Sequence, residues 1–353
     1  MWKNLFRTKV NPDHKDGRES TLTGSTRSDN APHAHVDSPS PESADALLRR
    51  LEWTVIKRLD GLLQGDYRTL LRGAGLDFAD LREYQLHDDV RHIDWNVTAR
   101  LNQAHVRVFT EDREMAAWFL LDVSGSVDFG SGRQKKREVL TQFVAVLARL
   151  LTRHGNRVGA LLYSKGDTLD AFVPARSGRR HVLHLMHTLQ DQATAGAHDE
   201  SASSTQLRTL LSAGAGLVRR RSTVFVVSDF ISDPGWEKAL AQLAQAHEVI
   251  AVRLIDPLEL EIPDLGLLTI RDAETGEQIL VDTQDTGFRQ RFSRIAAQRE
   301  AELFDAFVKA GVDVLELSTE DDLVEAITRF TDMRKSRTRV SSGALPTHLR
   351  KVA

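Results

Sequence analysis

The chain has 353 residues, of which 41% are hydrophobic and 27% charged; this fits a globular protein and excludes collagen-like, mucin-like and wholly disordered classes. A formal net charge of -3 gives no overall pull towards nucleic acid, and the absence of cysteine removes disulfides, thiolate zinc sites, iron–sulfur clusters and a cysteine nucleophile. No segment approaches the roughly 18 uninterrupted apolar residues of a spanning helix, and the N-terminus lacks the apolar core of a secretory signal, so the expected location is the cytoplasm.

The stretch from Val10 to Glu42 is rich in Ser, Thr, Asp, His and Pro, and residues 1–42 are read as a disordered tail. Helical spacing begins at Ser43, where Leu47, Leu51, Val55, Leu59 and Leu62 share one face. HVRVFTED and AAWFLLDVS read as strands, and QKKREVLTQFVAVLARLLTRHG as the helix after the second. Two more strands, NRVGALLYS and TLDAFVP, precede the helix GRRHVLHLMHTLQ, and a helix QLRTLLSAGAGLVRRR leads to the strand STVFVVSDF. GWEKALAQLAQAH is helical and EVIAVRLID is a strand. A hairpin follows, LGLLTIRD with EQILVD, turning at Glu274 to Gly276. A helix from Gly287 to Ala310, the strand VDVLELS and the helix EDDLVEAITRF complete the pattern, and the basic end, 334–353, is read as a second disordered tail. This alternation predicts an α/β fold built on a mostly parallel sheet flanked by helices.

Ligands of such sheets sit beyond the carboxyl ends of the strands. Two strands end there in carboxylates: AAWFLL runs into Asp122-Val123-Ser124-Gly125-Ser126, and STVFVVS into Asp229-Phe230. A carboxylate with two hydroxyls at alternate positions offers hard oxygen donors of the kind Mg²⁺ prefers, and Asp229 could complete the charge balance. The same residues could equally cap a helix or close a turn.

Two motifs carry a family resemblance. The block GAGLDFADLREYQLHDDVRHIDWNVTARLNQAHVRVFTEDRE, Gly73 to Glu114, and the loop FLLDVSGSVDFGS together resemble the bacterial family known as domain of unknown function 58, which contains a von Willebrand factor A-like domain. The second motif is similar to the metal-ion-dependent adhesion site of such domains. The resemblance implies an N-terminal helix and signature block over 43–115, a von Willebrand factor A-like domain over 116–256 and a small α/β extension over 257–333. It further implies that Asp122, Ser124, Ser126, Thr205 and Asp229 form a Mg²⁺ site, although Ser203-Ser204 stands where a Gly-Gly commonly precedes the threonine. Finally, it implies a non-catalytic protein-binding module whose partner is a MoxR-type AAA+ ATPase, acting as an adaptor or co-chaperone. A metal-dependent hydrolase using Asp122 and Asp229, and a scaffold with a degenerate site, are the alternatives.

Other signals point elsewhere. The dense charges of the signature block suit either a recognition surface or a hydrogen-bonded network with Trp95 and Tyr84 packed beneath it. His181, His184 and His187 share a helix face without a carboxylate at ligand spacing. Gly130 to Lys135 lacks the endings of nucleotide-binding loops, and the runs Arg133 to Arg137, Arg176 to Arg180 and Arg219 to Arg221 read as solvated faces. No GxSxG elbow occurs.

Overall fold

The computed structural model describes residues 43–62, 80–84, 93, 95–101, 103–108, 116–196, 205–271 and 278–339. The expected N-terminal tail, most of the signature block, Ser203-Ser204, the hairpin turn at Glu274 to Gly276 and the last part of the basic tail lie outside them.

The chain enters through α1 (Ala44–Leu51), a turn of π-helix (Glu52–Ile56) and α2 (Lys57–Leu62). Leu47, Leu51 and Leu59 are buried as their spacing predicts, whereas Leu62 is exposed. From the signature block, β1 (Asp80–Glu83) pairs antiparallel with β2 (His105–Val108), with α3 (Trp95–Leu101) between them in sequence. Trp95, placed beneath a packed network in one of the two readings, is instead 70% exposed at the start of α3, so burial does not hold it there.

The principal sheet is built from β3 (Ala116–Asp122), β4 (Arg157–Tyr163), β5 (Ala171–Arg176), β6 (Thr223–Ser228), β7 (Glu248–Ile255) and β10 (Asp313–Ser318). Its six strands lie in the order β10-β7-β6-β3-β4-β5, all parallel except the edge strand β5. Successive side chains of a strand point to opposite faces. Phe119 and Leu121 therefore join one core and Trp118 and Leu120 the other. Because both faces are covered, these strands read as continuous apolar runs.

The first core packs under α1, α4 (Lys136–Arg153), α5 (Arg179–Gly196) and α9 (Leu323–Arg339). There Phe119 stacks on Phe225 at 5.3 Å, with Phe143 of α4 edge-on to both. The second core packs under α6 (Leu207–Leu217), α7 (Trp236–Ala246) and α8 (Thr286–Ala310). Each large apolar side chain so buried contributes about 1.5–3 kcal/mol, which makes these two layers the source of the fold's stability. Gly159 of β4 has a steric reason: a Cβ there would meet the Trp118 ring at 2.6 Å.

Three boundaries differ from the sequence reading. Part of the stretch read as a C-terminal extension belongs to the main sheet, because β10 pairs with β7 in parallel and α8 makes the crossover that connects them. The hairpin of β8 (Leu267–Arg271) and β9 (Gln278–Asp282) remains a separate antiparallel pair. Helix α9 runs to Arg339, into the stretch assigned to the basic tail, and Arg334 pairs with both Glu248 and Asp313. Finally, α6 stops at Leu217 with Val218 extended, leaving Arg219, Arg220 and Arg221 as the exposed run that was expected. Among the described residues, no helix is long and apolar enough to cross a membrane.

Candidate functional site at the carboxyl ends of the central strands

Strands β3 and β6 are parallel neighbours, with Leu121 beside Val227, so the loops that follow them emerge side by side. Asp122 closes β3 and is fully buried. Its Oδ1 accepts the backbone N–H of Ser124 at 3.1 Å, and its Oδ2 accepts the Ser228 hydroxyl at 2.6 Å. The chain then makes a single 3-10 turn, Gly125–Asp128, which leaves the Ser124 and Ser126 hydroxyl oxygens 3.1 Å apart. Arg137, from the first turn of α4, holds this loop from below by donating to the Val123 carbonyl and to both oxygens of Asp128.

Thr205 is buried just before α6, and its carbonyl accepts from the Ser232 hydroxyl at 2.8 Å and from the Asp233 N–H at 3.1 Å. The next residue, Gln206, donates its N–H to the Tyr163 hydroxyl at the end of β4. The loops after β3, β4 and β6 and the segment before α6 thus meet at one end of the sheet. All five residues expected at the site, Asp122, Ser124, Ser126, Thr205 and Asp229, are buried in these segments.

Asp229 follows β6, and its surroundings differ most from the sequence reading. Its Oδ1 accepts the N–H of Ile231, while its Oδ2 accepts from the Lys136 ammonium at 2.6 Å. The same ammonium donates to Glu259 at 2.7 Å. Burial opposes the charge on Lys136, but Asp229 and Glu259 outweigh it and hold the ammonium above its usual pKa. Asp122 has no such compensation: burial, and then the nearby charge of Asp229, raise its carboxyl to about 6 against the hydrogen bonds from Ser124 and Ser228. Between these groups Phe230 adopts a left-handed backbone, φ 58°, which is unusual for a bulky residue and costs about 1–3 kcal/mol. Its ring packs at 4.9 Å from Phe307 and 5.4 Å from Trp236, and these contacts from α8 and α7 hold the conformation.

Lys136 and Arg137 overturn the reading of Arg133 to Arg137 as a solvated run, because Lys136 is 0% and Arg137 8% exposed. The signal was present in the helix that follows. Lys136 shares its face with Leu140, Phe143 and Leu147, which form a buried stripe. Ser228 and Glu259 also escaped notice, since a single Ser at a strand end and a single Glu in a turn carry no spacing signal. The three histidines do not converge: His181 bonds the Val158 carbonyl, while His187 faces Asp191 on the exposed side. Among the described residues, no three His, Asp or Glu side chains are arranged to hold a metal, so any cation here must rely on hydroxyl oxygens.

Comparison with known proteins places the chain in a family without assigning it a task. The chain is 36% identical over 302 residues to uncharacterized proteins of Mycobacterium bovis and Mycobacterium tuberculosis, covering 85% of this chain and 92% of theirs. Solved structures similar to it include BatB from Bacteroides thetaiotaomicron, 15% identical with a TM-score of 0.40, covering 63% of this chain and 99% of that one. Another is an aerotolerance-related membrane protein from Bacteroides fragilis, 13% identical with a TM-score of 0.38 and the same coverage. Residues 80–302 match the family described as "Protein of unknown function DUF58", and the chain belongs to that family.

Proposed function

We propose that the protein is a non-catalytic docking module that binds a protein partner through Mg²⁺ held by Asp122, Ser124 and Ser126, with Thr205 and Asp229 completing the site. The observation that carries this is the pair of hydroxyl oxygens 3.1 Å apart beside a carboxylate with no ion pair among the described residues. Adjacent oxygens of a Mg²⁺ octahedron, each about 2.1 Å from the ion, lie about 3.0 Å apart, so the serines match one edge. The raised pKa of Asp122 supports the same reading, since a buried carboxylate beside a second acid and without a cation of its own among the described residues favours a divalent cation. Mg²⁺ bound there would offer an open coordination position to a carboxylate of the partner. The family resemblance supplies a MoxR-type AAA+ ATPase as that partner.

A second reading rests on Lys136. Its ammonium already neutralises Asp229, as a metal would, and this favours a scaffold whose site is kept for structure alone. One measurement separates the two. Mg²⁺ should raise the melting temperature of the wild-type protein over an EDTA control and leave Asp122→Ala unchanged. It should also be required for capture of the ATPase. No thermal shift, with equal capture in EDTA and Mg²⁺, would overturn the docking reading.

A further inference from the structure

The loop between the serine turn and α4, residues 129–135, is built more rigidly than a connection requires. Its two ends are joined where the Lys136 N–H donates to the Phe129 carbonyl at 2.9 Å. At its centre the Ser131 N–H and hydroxyl both donate to the Asp256 carboxylate, at 2.8 Å and 2.6 Å. Asp256 is itself buried and fixed by the Leu258 N–H and the Thr319 hydroxyl. Burial opposes its charge, but these donors outweigh burial and hold its pKa below the usual carboxylate range, so it stays ionised and the anchor persists. The loop closes so tightly that a Cβ on Gly130 would meet the Lys135 backbone at 2.6 Å.

What this frame presents is not needed by the fold. Phe129 is 38% exposed, with its ring 5.9 Å from the Lys136 ammonium that contacts Asp229, so it stands at the edge of the candidate site. Arg133 and Lys135 are exposed and form no ion pair among the described residues. Asp128, the nearest preceding acid, is taken by Arg137. On the far side of the anchor, Asp321 and Asp322 pair with Arg329 and Arg58.

From this arrangement we infer that loop 129–135 is a preformed recognition element for an acidic protein segment carrying an apolar side chain next to a carboxylate. Phe129 takes the apolar group, and Arg133 and Lys135 take the flanking acids. A rigid aromatic beside uncompensated cations costs little entropy on binding and selects by charge. A continuous polyanion such as single-stranded RNA fits less well, because its run of phosphates asks for more cations than the two exposed ones of this loop.

The inference rests on the docking role proposed above, but not on its metal. The test is selection of random dodecapeptides displayed on phage against the full chain, in Mg²⁺ and in EDTA, followed by anisotropy titration of the recovered peptides. Acidic sequences with an apolar neighbour are expected. Their affinity should fall about tenfold or more in Arg133→Glu/Lys135→Glu, and by a similar factor in Phe129→Ala, with unchanged melting temperatures. Recovery of no peptide, an acidic preference that survives charge reversal, or tighter binding of an oligouridylate than of any peptide would overturn it. Loop dependence without a Mg²⁺ effect would sink the metal reading and leave this one standing. Mg²⁺-dependent capture that is indifferent to the loop variants would do the reverse.

Discussion

The two ends of the central sheet both bury charge, but they balance it differently. At the amino ends of β7 and β10, Arg334 bridges Glu248 and Asp313, and Glu248 also accepts the Thr223 hydroxyl. Those carboxylates share a guanidinium partner, although burial still raises the pKa of Glu248. At the carboxyl ends, Lys136 pairs with Asp229 and Glu259, while Asp122 is held, among the described residues, by hydroxyl and amide donors only. The contrast separates a structural ion network from one with charge to spare, and it explains why only the second is a candidate for binding.

The sharpest way to break this contrast is to remove each internal cation. Lys136→Met leaves the buried Asp229 and the half-buried Glu259 without their ammonium and should cost about 4 kcal/mol in urea denaturation. Mg²⁺ should recover part of that loss, because the vacated Asp229 belongs to the proposed site. Arg334→Ala should cost about 3 kcal/mol, a little less because Asp313 is partly solvated, and Mg²⁺ should recover none of it. Equal Mg²⁺ responses in the two variants would erase the distinction between the two ends.

A smaller effect tests Asp122 itself. Its folded pKa, about 6, lies above the ordinary value of 3.8, so ionisation costs the folded state. In metal-free buffer this group's contribution is fully present below about pH 4 and is lost as pH rises through about 6, on the order of 3 kcal/mol in all. Asp122→Asn should flatten that slope and make the EDTA-treated protein more stable than wild type near about pH 7, while abolishing any Mg²⁺ shift. A steeper slope in the variant, or no difference, would mean that the carboxylate is already compensated.

Much of the fold was legible because its strands are covered on both faces. Runs such as FLL and VFVV, at 119–121 and 224–227, can only be buried strands when helices flank them. The positions of Asp122 and Asp229 followed from the rule that sites lie beyond such strands. The counter-ion could not be read the same way: Lys136 sits in a cluster of cations whose composition suggests solvent, and only the apolar stripe running on from it reveals the buried face. The place of β10 was hidden for another reason. Periodicity identifies a strand but not its neighbour, and the register with β7 is a contact across more than fifty residues.

That long crossover has a kinetic consequence. Strands β3, β4 and β6 can assemble with only helices and the edge strand β5 between them, but β7 keeps one row of backbone donors and acceptors open until the chain through Ser318 exists and α8 has folded back. Loop closure of this length slows the final pairing, so during synthesis β7 is a transient sheet edge of eight apolar-rich residues. Nascent chains that stall before β10 should therefore be the species most prone to strand-to-strand association, with Arg253 placing a charge on that edge before its partners Glu300 and Glu316 are in place.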